Sequence, residues 1–274
     1  MKILRLNKVP FDELIDCFLL AFKEYHLEIP TDKMYYQKRW SAAKVDYNLS
    51  YGMLINGQLV GFIIHAIDNR FGKKTAFNTG TGVIPDFRGN GISKLIYDYA
   101  INDLRNHGIE KCILEVIQEN KNAIKIYQRS GFKICKEYQC FSGNINIKSR
   151  DEINLKKVSK EDFNWDNTFN QEFYSWDFQK ETIIERNYDY YYVIHDNQLE
   201  SYFIYNEENK YVAQFDLLAD NNNAWERLFQ GIKLISNNVK IVNVDTRLLE
   251  KLEIINKVEI PTTVNQYEMK LEIN

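Results

Sequence analysis

The deciding stretch of the sequence reads Thr79-Gly80-Thr81-Gly82-Val83-Ile84-Pro85-Asp86-Phe87-Arg88-Gly89-Asn90-Gly91-Ile92-Ser93. Thr, Val and Ile favour an extended backbone, and Pro85 cannot donate to a continuing ladder, so a strand is predicted to end there. Gly89 and Gly91 let the chain turn sharply and approach a ligand with no Cβ atom in the way. The stretch therefore predicts a strand, a glycine turn and the start of a helix.

The predicted helix carries its apolar residues on one face. They are Ile92, Leu95, Ile96, Tyr99, Ala100 and Leu104, and Gly108 supplies the end. A first helical turn offers free N–H groups and a positive dipole end to phosphate, and Arg88 adds a cation. We therefore predict a diphosphate site, the alternative being a connection that binds no ligand. The nucleoside-triphosphate loop and the full dinucleotide fingerprint are both missing.

The composition favours a chain with one large or two modest domains. Of the 274 residues, 45% are hydrophobic, enough for a sizeable core, and 27% are charged, which favours a soluble surface. No apolar run reaches spanning length and no secretory signal layout is present, so we expect a cytoplasmic protein without a membrane partner. The net charge of −3, without a Lys/Arg cluster, disfavours nucleic acid. The four cysteines lack zinc or disulfide spacing, and we predict no metal.

The motif Val83-x-Pro85-x-x-Arg88-Gly89-x-Gly91-Ile92 resembles the acetyl-CoA site of the GCN5-related N-acetyltransferase (GNAT) superfamily. The core of that motif is Arg or Gln, two residues, Gly, one residue, then Gly or Ala. Here it reads Arg88-Gly89-Asn90-Gly91-Ile92-Ser93, with Ser93 departing from the usual Gly or Ala. The resemblance implies that acetyl-CoA is the co-substrate and that these residues bind it.

A second block, from Leu114-Glu115-Val116 through Asn120 and Tyr127 to Gly131-Phe132, is similar to the family's second conserved block, especially in its amino-terminal protein acetyltransferases. The predicted element order is β-α-α-β-β-β-α-β-α-β-β, including an Asn56-Gly57 hairpin and a last pair of strands at 132–137 and 138–142. The fold class predicted is α/β (α+β), a mixed and mostly antiparallel sheet flanked by helices, the acyl-CoA N-acyltransferase fold. The resemblance covers about 1–143.

The remaining sequence contains a weak internal repeat. Leu6-Asn7-Lys8-Val9 is echoed by Leu155-Lys156-Lys157-Val158, and Asn56-Gly57-Gln58-Leu59 by Asp196-Asn197-Gln198-Leu199. We therefore predict the fold twice, with a GNAT domain at 1–148 and a degenerate GNAT-like domain at 149–274; the alternative is an unrelated α+β domain. The second copy lacks the glycines and the arginine of the motif and is expected to bind no coenzyme. The oligomeric state stays open between a monomer with pseudo-dimeric halves and a homodimer.

The resemblance assigns roles to two candidate catalytic residues. Tyr127 stands where the family places the general acid that protonates the leaving sulfur. Glu115 matches the Glu that is the general base in ribosomal-protein alanine acetyltransferases, at the same interval before the tyrosine. The alternative for Tyr127 is a helix residue that only packs on the sheet. The alternative for Glu115 is a solvated residue that only ends its strand. The predicted acceptor is a primary amine of a small molecule or a peptide or protein N-terminus, which attacks the thioester directly to form a tetrahedral intermediate.

The predicted coenzyme contacts combine main chain and side chain. N–H groups near Gly82 and Val83 are expected to hold the oxyanion, Val83 and Ile84 to bond the pantetheine amides as an added strand would, and Asn120 to bond the coenzyme arm or cap its helix. Two other functions remain open: a non-catalytic coenzyme-binding module and a tandem-type aminoacyl transferase that uses charged tRNA. The intact glycine motif favours the coenzyme over tRNA, and Tyr127 favours catalysis.

Overall fold

The computed structural model describes residues 1–23, 29–148 and 151–273 and divides the chain into two compact units. The first unit comprises Met1–Cys135 with Glu268–Asn274, and the second comprises Lys136–Tyr267. The predicted domain boundary, between 148 and 149, adjoins residues 149–150, which lie outside the described residues, and it stays a prediction. Within the described ranges, no helix is both long and apolar enough to cross a bilayer.

The first unit is a mixed sheet with helices. Its elements are β1 (Lys2–Arg5), α1 (Phe11–Ala21), α2 (Lys33–Ala42), β2 (Tyr51–Ile55), β3 (Gln58–Arg70), β4 (Lys73–Val83), α3 (Ile92–Asn106), β5 (Lys111–Ile117) and α4 (Lys121–Arg129). The strands lie in the order β1-β2-β3-β4-β5, antiparallel as far as β4, whereas β4 and β5 are parallel. This arrangement confirms the predicted fold class and element order from β1 to α4.

The buried face of α3 differs from the predicted one at two positions. Leu95 and Tyr99 are 44% and 43% exposed, whereas Tyr97 is 1% exposed. The other buried residues are Ile92, Ile96, Ala100 and Leu104. Leu95 and Tyr99 were predicted to be buried because they are apolar. Tyr97 is buried instead, because its hydroxyl lies in a polar cluster with residues of β4, described below.

The predicted strands at 132–137 and 138–142 form one continuous strand, β6 (Lys133–Asn144). Glu137-Tyr138-Gln139 contains no Gly, Pro or Asn to make a turn, so the backbone stays extended. From Lys136 onward β6 belongs to the second unit, and the first unit gains instead the C-terminal end of β12 (Thr262–Glu272). There the Cys135 thiol donates to the Glu268 carbonyl over 3.4 Å.

The second unit repeats the fold. Its remaining elements are β7 (Asn154–Val158), α5 (Lys180–Ile183), β8 (Asp189–His195), β9 (Gln198–Asn206), β10 (Tyr211–Leu217), α6 (Ala224–Ile235), β11 (Asn238–Asp245) and α7 (Leu249–Lys257). Its strands lie in the order β6-β11-β10-β9-β8-β7. Three short 3-10 helices, Trp165–Asn167, Gln171–Phe173 and Trp176–Phe178, precede α5 where the first unit has α1 and α2.

The two hairpins show the repeat in detail. Asn56-Gly57 and Asp196-Asn197 all have positive φ, and each hairpin shifts its register just before the turn, at Met53/Leu54 and at Val193/Ile194. Both units also carry one extra residue at the same place in the next strand, Thr79 in β4 and Ala213 in β10. The predicted repeat is therefore confirmed, and the two units also share a strand bulge that was not predicted.

Candidate functional site

Strands β4 and β5 separate halfway along their length. Their parallel pairing runs from Thr75↔Lys111 to Asn78↔Leu114 in the described strands. Beyond it lies the acyl slot, which we define as the gap between residues 79–83 of β4 and residues 115–117 of β5. Separated parallel strands leave main-chain groups unpaired, so an extended ligand can add to them as a strand would.

The bulge at Thr79 decides which main-chain groups face the acyl slot. The Ile84 N–H donates to the Val60 carbonyl over 3.0 Å, and the Ile84 carbonyl accepts from Phe87. Because N–H groups in an antiparallel pair alternate in direction, the Gly82 N–H also faces β3, whereas Thr81 and Val83 turn theirs to the slot. Among the three predicted positions, Val83 therefore turns its N–H to the slot, whereas the N–H groups of Gly82 and Ile84 face β3. The coenzyme contacts at these positions stay a prediction.

Gly82 has a steric role instead. A Cβ atom there would lie 2.6 Å from Cζ of Phe62 and 2.9 Å from Cβ of Ala21. No side chain fits, because α1 lies directly on this part of β4. The close approach fixes the end of β4 against the first helix.

The glycine turn leads into an uncapped helix. Gly89 and Gly91 have φ of 80° and 72°, which L side chains rarely adopt, and a Cβ atom at either would meet nothing within 4 Å. Gly91 is the N-cap of α3, and no described side chain caps the helix or adds an acidic group to its first turn, which includes Ser93. Ile92 is buried and anchors the turn. This end of α3 can take an anion.

Arg88 and Asn90 stabilise the turn with their side chains. Arg88 donates from Nε to the Val83 carbonyl over 3.2 Å and from Nη2 to the Ala21 carbonyl over 3.0 Å. Asn90 donates from Nδ2 to the carbonyls of Phe87 and Arg88, over 3.2 and 3.4 Å. The guanidinium therefore joins the end of β4 to α1 while its charge stays near the turn.

The predicted catalytic residues lie on β5 and α4. Glu115 is half-buried and is the first β5 residue past the pairing with β4. Tyr127 is buried, and its ring packs edge-on against Tyr97 and Phe132, with centroids 6.0 Å apart in both pairs. Asn120 caps α4, its Oδ1 accepting from the Ala123 N–H over 3.1 Å. Packing and capping are thus observed, and neither prevents the predicted roles.

A polar cluster beside the bulge was not predicted. Asn78 accepts from the Gly80 N–H over 3.0 Å and donates from Nδ2 to the Thr81 hydroxyl over 2.7 Å and to the Tyr97 hydroxyl. Burial, with a smaller contribution from Tyr127, raises the pKa of Tyr97 well above its usual value, so the phenol stays protonated. A carboxamide directly after the apolar pair Ala76-Phe77 was the signal that could have revealed this cluster.

The second unit closes the equivalent gap. The Lys251 ammonium of α7 lies 2.9 Å from Asp216 of β10 and donates to the Tyr174 hydroxyl over 2.8 Å. Asp216 also accepts from Asn170 over 3.0 Å. The cavity that remains, lined by β10, β11, Tyr174 and Lys251, is about 10 Å³, too small for more than one water molecule. An acyl chain has no room there.

Polar groups at the turn before α6 are bonded to other residues of the second unit. Arg227 donates to both carboxylate oxygens of buried Glu200, each over 2.7 Å, and to the Asn222 carbonyl over 2.7 Å. Asn221 donates to the same carboxylate over 3.0 Å. This network pairs the Arg227 guanidinium within the unit, so that cation is already engaged.

Two buried titratable side chains of the first unit, His65 and Cys17, have pKa values far from their ordinary ones. His65 is fully buried beside the Leu49 carbonyl, and burial lowers its pKa to about 4. Burial raises the pKa of Cys17 to about 12, which disfavours the reactive thiolate. In the described ranges, no three His, Cys, Asp or Glu side chains converge as a metal site.

Comparisons of the sequence agree with this geometry. Residues 11–132 match the acetyltransferase (GNAT) family. An uncharacterized N-acetyltransferase of Methanocaldococcus jannaschii is 33% identical over 143 residues, which cover 48% of this chain and 62% of the relative. A mycothiol acetyltransferase of Propionibacterium freudenreichii is 32% identical over 78 residues, 28% of this chain and 25% of that protein. The chain thus spans less than two thirds of either relative's length.

Solved structures extend the likeness to both units. A tandem GNAT protein from the clavulanic acid biosynthesis pathway has a TM-score of 0.69 at 13% identity, covering 100% of this chain and 98% of its own. A GCN5-related N-acetyltransferase from Sphaerobacter thermophilus has a TM-score of 0.64 at 9% identity, covering 96% and 92%. These likenesses concern the fold. The family match assigns residues 11–132 to the GNAT superfamily, and the repeated architecture gives the whole chain the fold of a tandem GNAT protein.

Proposed function

We propose that the first unit transfers an acetyl group from acetyl-CoA to a primary amine. The observation that carries this proposal is the separation of β4 from β5 next to the uncapped glycine turn of α3. The residues present fit the coenzyme: the first turn of α3 suits the diphosphate, and the Val83 N–H suits an amide of the pantetheine arm. The open space above Gly89 and Gly91 leaves room for the ligand.

The reaction requires the protein to stabilise an oxyanion, to protonate the leaving sulfur and to accept the proton of the amine. The neutral amine nitrogen attacks the thioester carbon and a C–N bond forms. Negative charge then collects on the carbonyl oxygen, which an N–H group of β4 that faces the acyl slot would stabilise. The C–S bond then breaks, and the sulfur takes the proton of Tyr127. Glu115, directly or through a water molecule, takes the proton that the amine loses. The phenol is restored by that proton through solvent.

The acceptor decides how strong the base must be. An α-amine, with a pKa of about 8, is partly neutral at pH 7, whereas a lysine amine, at about 10.4, is almost wholly protonated. A half-buried carboxylate such as Glu115 suits the first kind better. We therefore expect an α-amine of a peptide or a small molecule with a similar pKa.

The test is a thiol-release assay with acetyl-CoA and a panel of amines, which includes peptide N-termini, lysine peptides and small amines. We expect release that depends on one class of amine, together with calorimetric binding of one coenzyme per chain. Coenzyme binding without release for any amine would leave a coenzyme-binding module. The absence of binding would refute the proposal.

A further inference from the structure

The polar cluster on β4 has a defined hydrogen-bond direction. The Gly80 N–H donates to Asn78, so the accepting atom is the amide oxygen and the opposite atom is Nδ2. Both hydrogens of Nδ2 are then used, one on the Thr81 hydroxyl and one on the Tyr97 hydroxyl. Each hydroxyl oxygen therefore accepts one hydrogen bond and still has its own hydrogen to place.

The contact between the two hydroxyls, 3.2 Å long, fixes where those hydrogens go. If Thr81 donated, the Tyr97 hydrogen would have no acceptor among the described residues, and Tyr97 is only 1% exposed. A buried unsatisfied donor costs about 1–3 kcal/mol. Tyr97 therefore donates to Thr81. The Thr81 oxygen then accepts twice, and its hydrogen is left to donate.

Thr81 is well placed to donate outward. It is half-buried, and it belongs to the part of β4 that lines the acyl slot. No acceptor for its hydrogen lies among the residues that the structure describes. The hydroxyl thus offers one directed donor at the slot, beside the Val83 N–H that the strand register also turns that way.

The second unit serves as an internal control for the fold. With the bulges, the helix N-caps and the helix ends superposed in sequence, the four polar residues Asn78, Thr81, Tyr97 and Tyr127 correspond to the buried apolar residues Val212, Phe215, Phe229 and Ile255. The rings of Phe215 and Phe229 pack 5.6 Å apart where Thr81 meets Tyr97. The fold therefore forms without polar groups at these four positions. We attribute the polar residues of the first unit to a ligand that they contact.

We propose that the Thr81 hydroxyl, held by Asn78 and Tyr97, donates a hydrogen bond to the thioester carbonyl oxygen of the acyl donor in the slot. Thr81 is then a catalytic residue, and Asn78 and Tyr97 are positioning residues. The inference rests on the proposed function. The bond strengthens as the carbonyl oxygen becomes negative during attack by the amine, so it favours the transition state over the bound substrate.

The test compares Thr81→Val with Thr81→Ser and uses acetyl-CoA and CoA as probes. Thr81→Val should weaken acetyl-CoA binding about 3–10-fold, the worth of one hydrogen bond, and leave CoA binding unchanged because CoA has no acyl oxygen. Its kcat should fall about 10²–10³-fold, as for other oxyanion donors. Thr81→Ser should restore both. Thr75→Val, on the same strand but bonded to the Lys73 carbonyl, is the matched control and should change neither.

Tyr97→Phe tests positioning. It frees a lone pair of Thr81, so the hydroxyl can turn away; we expect kcat to fall about 10-fold at unchanged KM, and the loss should vanish in a Thr81→Val background because the two residues act through one bond. Equal affinities and rates for wild type and Thr81→Val would overturn the inference, as would an undiminished Tyr97→Phe effect in the double variant. A wild type that binds neither probe would instead refute the proposed function.

Discussion

The two units share one fold and differ in what fills the space between their diverging strands. In the first unit the strands part at Asn78 and Leu114 and leave the acyl slot. In the second, the ion pair of Lys251 with Asp216 spans the equivalent gap. Asp216 stands at the position of Gly82, where the first unit has no room for a side chain. The bulge and the separated strands are therefore common to both units. Whether the gap between the strands is open or filled depends on a few side chains.

The loops before the helices differ in the same sense. The first unit has two positive-φ glycines before α3, whereas the second has Asn223 at the equivalent N-cap and engages its loop through Arg227 and Glu200. Neither N-cap residue caps its helix with a side chain. The second unit thus differs from the first by more than the absence of the two glycines, because Arg227 of its loop is already paired with Glu200. We expect the difference between the units to show in four experiments.

Tyr127→Phe gives the largest expected effect. Ile255 occupies its position in the second unit, so a purely apolar residue is compatible with the fold. Without the phenol the leaving sulfur has no acid, and kcat should fall about 10²–10⁴-fold while coenzyme affinity stays nearly constant. Steady-state thiol release, together with calorimetry, measures both quantities.

Tyr99→Phe, an exposed tyrosine on α3, is the control and should keep full activity. If Tyr127→Phe retains wild-type kcat where chemistry limits the rate, Tyr127 is a packing residue like Ile255. The difference between the units at this position would then have no catalytic meaning.

Gly91→Val should abolish coenzyme binding. The side chain enters the open space above the first turn of α3 and separates the N–H groups from a diphosphate, for a loss of about 1,000-fold, the worth of two hydrogen bonds to a charged group. Calorimetric titration of acetyl-CoA is the measurement.

Asn223→Val is the matched control, since Asn223 is the N-cap of α6 with a φ of 62°. Both variants strain a left-handed residue, and only the first should lose the coenzyme. If a folded Gly91→Val protein binds acetyl-CoA as tightly as the wild type, the start of α3 is not the diphosphate site.

Much of this comparison was already predictable from the sequence. The strand, the Gly89 and Gly91 turn and the helix follow from local rules, and the Asp196-Asn197 hairpin revealed the repeat. The closure of the second gap could not be predicted, because Asp216, Lys251 and Tyr174 are distant in sequence and meet only in the folded unit. The main-chain directions at Val83 and Ile84 depend on strand register, which residue types do not encode.

The continuity of β6 and the inclusion of the C-terminal end of β12 in the first unit were not predicted, for a similar reason. A strand sequence shows which residues favour extension and does not identify its neighbour. The same limit applies to Tyr97, whose hydroxyl is satisfied only because Asn78 and Thr81 are next to it.

Lys251→Met tests whether the closed gap stabilises the second unit. It removes one partner of a buried ion pair and leaves Asp216 uncompensated, so the free energy of unfolding should fall by about 3–5 kcal/mol. Urea denaturation measures it. The double variant with Asp216→Gly should recover part of the loss, since no unpaired charge remains.

Neither variant should bind acetyl-CoA in the second unit, because its loop still lacks the glycine turn. A second coenzyme site in the double variant would show that the ion pair alone distinguishes the two units. Lys257→Met, at an exposed pair with Glu226, is the control and should cost little.

The smallest expected effect is a pH dependence confined to the first unit. His65 of β3 corresponds to Tyr205 of β9, so one unit has a buried imidazole where the other has a phenol. Burial lowers the pKa of His65 to about 4, below its ordinary value near 6.5. Between these values the unfolded chain binds more protons than the folded unit, so the free energy of unfolding falls as pH falls, by at most about 1.4 kcal/mol per pH unit.

Hydrogen exchange read by mass spectrometry can resolve this difference between the units. From pH 6.5 to 4, after correction for the intrinsic exchange rate, peptides of β2 and β3 should lose more protection than those of β8 and β9. His65→Asn, which keeps a donor for the Leu49 carbonyl, should flatten the dependence because it has no proton to gain. The contrary results are that protection falls equally in both units, or that its pH dependence stays unchanged in the variant. Either result would show that carboxylates common to both units cause the loss of stability in acid and that His65 contributes nothing to it.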